Sequence, residues 1–124
     1  MSKYKYIIVE IENDIATITF NRPEKKNAMS PDLHAEMCVA LDEVAAAKVK
    51  VMVLTGSGNA FVGGMDLEKC FFDNWDDPEK FVEGIKPSFE WMKHLKTFPA
   101  VTVAKVNGWC FGGGMEVVGL CDIA

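Results

Sequence analysis

The segment Val106-Asn107-Gly108-Trp109-Cys110-Phe111-Gly112-Gly113-Gly114-Met115-Glu116 follows an apolar run at residues 100–106. An apolar run ended by Asn-Gly reads as a buried strand leaving a sheet, and the glycine triplet opens a helix expected to reach about residue 120. An upstream counterpart is Ala60-Phe61-Val62-Gly63-Gly64-Met65-Asp66, which comes after an expected strand at 49–54 and the loop Gly56-Ser57-Gly58-Asn59. A short helix is expected to follow it. No glycine occurs before residue 56, and six of the ten fall at Gly63, Gly64, Gly108 and Gly112 to Gly114. Loading glycine into so few places implies close approach of backbone there.

Both clusters thus stand between a strand and a helix. In α/β folds ligands sit at such strand ends, and the first N–H groups of a helix are unpaired and carry the positive end of its dipole. Two turns on neighbouring parallel strands can aim two N–H donors at one developing oxyanion. One such donor is worth about 2.7–4 kcal/mol in a transition state. Taken singly, either cluster also fits a plain turn with tight helix packing. A nucleotide site fails on detail: there is no Gly-x-Gly-x-x-Gly, because Val117 stands where the third glycine is needed, and no Gly-x-x-x-x-Gly-Lys-Ser/Thr. Gly-x-Ser-x-Gly is absent too, which argues against a nucleophile-elbow hydrolase.

Working outward, residues 4–12 and 15–20 are β-rich and meet across Asn13-Asp14, a favourable hairpin turn. Ser30 offers an N-cap, Pro31 a first helical residue, and Leu33, Met37, Ala40, Leu41 and Val44 the spacing of an amphipathic helix over 31–47. The run Val51-Met52-Val53-Leu54 is apolar on both faces, as in a buried parallel strand. Residues 73–79 are acidic and turn-rich, and read as a mobile solvated loop. Asp77-Pro78 starts a helix with Phe81, Ile85, Phe89, Met92 and Leu95 as its apolar stripe, stopped by Phe98-Pro99. Phe81, Phe89, Trp91 and Met92 are expected in the core or at a subunit contact. His34 and His94 read as ordinary surface or packing residues.

The chain's 124 residues fit one domain, with 49% apolar and 25% charged residues. Every apolar run is far short of the roughly 20 residues a membrane span needs, and no signal-peptide core follows the N-terminus. Cytoplasm is the expected compartment. A net charge of −5 argues against a broad nucleic-acid or anionic-membrane surface. Cys38, Cys70, Cys110 and Cys121 form no Cys-x-x-Cys pair, so reduced and mostly core thiols are expected, without zinc or disulfides. Cys121-Asp122-Ile123-Ala124 reads as the start of a further strand. Because its backbone would be left unpaired, 1–124 is expected to be the N-terminal part of a single domain continuing past residue 124. Marginal stability and little or no turnover are expected of these residues alone.

Four ordered blocks resemble the enoyl-CoA hydratase/isomerase (crotonase) superfamily. They are Asn21-Arg22-Pro23 with Asn27-Ala28-Met29, Ala60 through Leu67, Val106 through Glu116, and Cys121-Asp122-Ile123-Ala124. The resemblance covers essentially the whole chain, but only about the N-terminal half of that family's domain. It implies an α/β fold, a crotonase-like spiral of ββα units, commonly built into homotrimers or dimers of trimers. It also implies acyl-CoA substrates, with coenzyme A entering as part of the thioester, no permanently bound cofactor, and no metal. The family's oxyanion hole falls on the backbone N–H groups of Met65 and Gly113. Lys25, Lys26, Ala28, Gly63, Gly64 and Asp66 fall in the coenzyme A-binding segments, although Asp66 itself reads as a helix cap rather than a catalyst.

Glu116 matches one of two catalytic glutamates of simple hydratases; the other belongs to a segment beyond residue 124. The implied reaction is addition of water across the α,β double bond of an enoyl-CoA thioester. Asn27 through Pro31, Gly64-Met65-Asp66 and Asn107 through Phe111 look most like the hydroxycinnamoyl-CoA hydratase-lyases, which then cleave the hydrated acyl group. That branch usually has no glutamate where Glu116 stands, so cleavage, isomerisation and plain hydration stay open. So does a non-catalytic coenzyme A-binding subunit. Met65, Trp109 and Phe111 suit an aromatic acyl group or the core.

Overall fold

A computed structural model describes residues 3–124. Strands β1 (Ile7–Glu12) and β2 (Ile15–Phe20) form an antiparallel hairpin in register from Ile7 opposite Phe20 to Glu12 opposite Ile15. Its two-residue turn holds Asn13 at φ 51° and Asp14 at φ 67°, the left-handed pair that matches the twist of the strands. The chain then crosses over through α1 (Pro31–Ala46) to β3 (Val51–Gly56), which lies parallel to β2. Ser30 caps α1 by accepting from the Leu33 amide, as expected.

A second crossover carries β4 (Ala60–Val62), α2 (Leu67–Cys70) and α3 (Pro78–Lys96) before β5 (Val101–Ala104) returns parallel to β3. The main sheet therefore runs β1-β2-β3-β5. Beside it β4 pairs in parallel with the short β6 (Trp109–Cys110), which leads into α4 (Gly113–Leu120). Neither β4 nor β6 is legible in the sequence as a strand. Each is so short that only its partner, about fifty residues away, stabilises it.

The core lies on one face of the main sheet. Ala16, Ile18 and Phe20 of β2 alternate inward with Met52 and Leu54 of β3, against Leu33, Met37 and Leu41 of α1 and Trp91 and Leu95 of α3. Phe20 joins the two sheets through an edge-to-face contact with Phe61, centroids 5.8 Å apart. The other face is open: Val51 and Val53 are half-buried and Val101 is 44% exposed. The expected parallel pairing holds, but two-sided burial of β3 and β5 does not. Ile123 makes a parallel bridge to Val103, where a further strand was expected. The Asp122 carboxylate fastens it by accepting from both the amide and hydroxyl of Thr102.

Three other expectations need correction. The buried face of α3 is Ser88, Trp91, Met92 and Leu95; Phe81 and Ile85 are half-buried and Phe89 is 67% exposed. On that face Trp91 meets α1, its indole N–H donating to His34 Nδ1 at 2.9 Å. Residues 73–79 are folded rather than a loose loop: a 3-10 turn spans Phe72–Asn74 and the Asp77 carboxylate caps α3 at the Lys80 amide. Of the cysteines, all free, only Cys70 is buried, while Cys38, Cys110 and Cys121 are half-buried.

Candidate active site

The first glycine loop is held by the segment that follows β2. Met29 bridges Met65 in parallel, accepting from the Asp66 amide and donating its own N–H to the Gly64 carbonyl at 2.8 Å. The Gly63 amide donates to the Lys26 carbonyl, also at 2.8 Å. A Cβ on Gly63 would lie 2.8 Å from that carbonyl, so glycine is needed for the approach. Asn27, fully buried at φ 57°, locks the base of the loop: its carbonyl oxygen accepts from the Arg22 amide, and its NH₂ donates to Ser57 and Ala60 carbonyls.

Asn107 works from the opposite side. Its NH₂ donates to the carbonyls of Gly56, Gly58 and Ala60, and its oxygen accepts from the Gly56 amide. Two asparagines from separate segments thus hold the Gly56 to Ala60 turn between them. Sequence reading treated both only as parts of motifs. The one local signal was the left-handed backbone that asparagine tolerates, which Asn27 adopts at φ 57°.

The second loop reaches the first directly. The Phe111 amide donates to the Val62 carbonyl at 3.0 Å. A Cβ on Gly64, at φ 94°, would touch the Phe111 carbonyl at 3.4 Å, and one on Gly112, at φ 49°, the Cα of Gly64 at 3.8 Å. Gly114 and Met115 donate to Phe111 and Gly112 carbonyls as the first turn of α4 forms. By contrast the amides of Gly64, Met65, Gly112 and Gly113 donate to no group among the described residues. The first N–H groups of a helix have no intrahelical acceptor, so the start of α4 and the adjoining first loop leave backbone donors open to a bound group. The two loops do follow neighbouring parallel strands, but the strands are β4 and β6 rather than β3 and β5.

Asp66 caps α2 by accepting from the Lys69 amide at 3.0 Å and pairs with Arg22 Nη2 at 3.1 Å. Burial alone would raise its carboxyl; the Lys69 amide and the Arg22 guanidinium outweigh that and hold it below the usual range. It is a structural anchor beside the loop. Cys70 donates its thiol to the Met29 carbonyl, and burial pushes its pKa up to about 11, which makes it a poor nucleophile.

Met65, Gly63, Gly64 and Gly113 are therefore brought together, with Ala28 and Lys26 on the adjoining segment. Lys26 Nζ donates to the Asn59 side chain at 3.1 Å, while Lys25 is exposed and its charge acts on Asp66. Glu116 shares the first turn of α4 with Gly113 and borders a cavity of about 470 Å³ between α3 and α4, walled by Phe89, Met92 and Leu120. Trp109 and Phe111 are not core: they are 53% and 54% exposed, with ring centroids 5.4 Å apart. Among the described residues no group of three His, Cys, Asp or Glu side chains could hold a metal ion, and no helix is long and apolar enough to cross a membrane.

Comparison with known proteins bears on the same elements. The family described as enoyl-CoA hydratase/isomerase matches residues 10–124. A hydroxycinnamoyl-CoA hydratase-lyase from Pseudomonas fluorescens is 43% identical, over 98% of this chain and 45% of its own length. A short-chain-enoyl-CoA hydratase from Clostridium acetobutylicum is 34% identical, over 94% of this chain and 44% of its own. The crystal structure of an enoyl-CoA hydratase from Bacillus halodurans has a TM-score of 0.85 at 29% identity, covering 95% of this chain and 48% of that one. The chain thus spans about half the length of these relatives, and its α/β architecture is the crotonase-like one expected.

Proposed function

The chain belongs to the enoyl-CoA hydratase/isomerase family, and on that basis we propose that it is the N-terminal part of one crotonase-like domain whose whole protein hydrates an enoyl-CoA thioester. The observation that carries the reading is the set of amides on two touching loops that have no acceptor among the described residues. Met65 and Gly113 N–H groups donate to the thioester carbonyl oxygen. A carbonyl so held draws electron density from the β-carbon and stabilises the enolate formed when that carbon is attacked. Glu116 takes a proton from water while the hydroxyl bonds to the β-carbon, and a proton is then delivered to the α-carbon. Water is added in full; no oxidant, reductant or permanently bound cofactor enters. Lys25, Lys26, Ala28, Gly63 and Gly64 take the coenzyme A portion, two lysines supplying positive charge in an acidic protein.

Crotonyl-CoA is the test substrate. The whole protein should hydrate it, and Glu116→Gln should lower turnover by at least about 10²-fold. Unchanged turnover in that variant removes Glu116 from the mechanism. Binding of crotonyl-CoA without hydration by the wild type overturns catalysis in favour of a coenzyme A-binding subunit.

A second reading rests on the exposed Trp109 and Phe111 beside the second glycine loop, whose rings lie 5.4 Å apart and are tilted by 38°. They offer exposed aromatic surface to an aromatic acyl group. Feruloyl-CoA would then be hydrated and cleaved to an aromatic aldehyde and acetyl-CoA. Release of aldehyde favours this reading; hydration of crotonyl-CoA with no aldehyde from feruloyl-CoA excludes it.

A further inference from the structure

His34 is wholly buried in α1 and takes no part in the chemistry above. Its Nδ1 accepts a hydrogen bond from Trp91 Nε1 of α3 at 2.9 Å. An indole N–H can only donate, so Nδ1 must be the bare nitrogen of the neutral ring and Nε2 must carry the proton. Nε2 lies 3.2 Å from the sulfur of Met65 and donates to it. The Met65 side chain in turn lies under the second loop: a Cβ on Gly113 would be 3.9 Å from its Cγ and Sδ. Trp91, His34, Met65 and Gly113 therefore form one continuous line of contacts from α3 through α1 to both glycine loops.

We propose that His34 is a positioning residue that holds the Met65 thioether beneath Gly113 and so keeps the two glycine loops in register. A methionine side chain has three rotatable bonds and fixes nothing by itself. A directional N–H···S bond from a ring locked on its other side selects one rotamer and holds the thioether in place beneath Gly113, while the Met65 amide itself is fixed by the Met29 bridge. Burial lowers the His34 pKa to about 4, so the neutral, Nε2-protonated ring persists at neutral pH. The catalytic consequence rests on the hydratase reading; the geometric one does not.

Two measurements separate them. In protein labelled with [15N]glycine, His34→Leu should displace the Gly113 amide resonance, and His34→Gln, which keeps an N–H donor, should leave it nearer its wild-type position. With crotonyl-CoA, His34→Leu should lower kcat by about tenfold while KM stays within about twofold, with partial recovery in His34→Gln. An unmoved Gly113 resonance in His34→Leu overturns the proposal, and so does an unchanged kcat in a wild type that is active. If the wild type hydrates no thioester, the hydratase reading fails and the resonance alone decides the positioning role. Should His34→Leu not fold, Trp91→Phe removes the donor to Nδ1 and keeps an aromatic ring; a Gly113 resonance unmoved there is equally fatal.

Discussion

Arg22 Nη2 and Asp66 Oδ2 lie 3.1 Å apart, joining segments 44 residues apart in sequence, with both side chains about nine-tenths buried. The pair ties the loop after β2 to the start of α2, on either side of the Met29–Met65 bridge. Arg22 also donates to the Ala28 carbonyl and lies 5.6 Å from the Tyr6 ring, although its Nε finds no acceptor among the described residues. Removing one member of a buried pair leaves the other charge uncompensated. Asp66→Ala should destabilise by about 3–5 kcal/mol in urea unfolding. Asp66→Asn should cost less, since its amide oxygen can still cap α2. Because the Asp66 carboxyl is held below its ordinary 3.8, its contribution is present above that value and lost as pH falls through the folded value.

A second acid effect comes from His34, at higher pH. Its folded value of about 4 lies below the ordinary 6.5, so between these the unfolded chain binds a proton that the folded one does not. Stability is full above about pH 6.5 and falls on acidification toward about pH 4, by about 3 kcal/mol in all. His34→Gln should flatten this part of the stability–pH curve. A wild-type slope that survives the substitution would assign it to another group.

Asn27 and Asn107 hold the same turn but from different environments. Asn27→Ala strips partners from the buried Arg22 amide and Ser57 carbonyl and places alanine at φ 57°. A loss of about 2–4 kcal/mol is expected. Asn107 is exposed, so water can replace it. Asn107→Ala should cost about 1 kcal/mol, and equal losses in the two variants would contradict this account.

The glycines divide just as sharply. A Cβ at Gly56 would strike the Ala60 carbonyl and come within 2.6 Å of the Phe61 carbonyl. Gly56→Ala should lower stability by about 3 kcal/mol, because backbone on both sides must move. Gly119 lies inside α4 with nothing within 4 Å of a Cβ. Gly119→Ala should raise stability by about 0.5–1 kcal/mol. Thermal melts of the two variants, moving in opposite directions, check the pair.

Hairpin turn, helix caps and glycine-rich loops were legible because each is decided within about four residues of chain. Asn13-Asp14 can adopt left-handed backbone on its own terms, and Ser30, Asp66 and Asp77 reach amides three residues ahead. The ordered motifs at Arg22, Met65 and Gly113 also indicated the family. What local rules could not reach was decided by segments far apart in the chain. Strands β4 and β6 exist only as each other's partner, Trp91 of α3 meets a histidine 57 residues away, and one asparagine from each of two loops closes the Gly56 to Ala60 turn. A buried hydrogen bond gains its strength from exclusion of water, and water is excluded only once the whole core has closed around it.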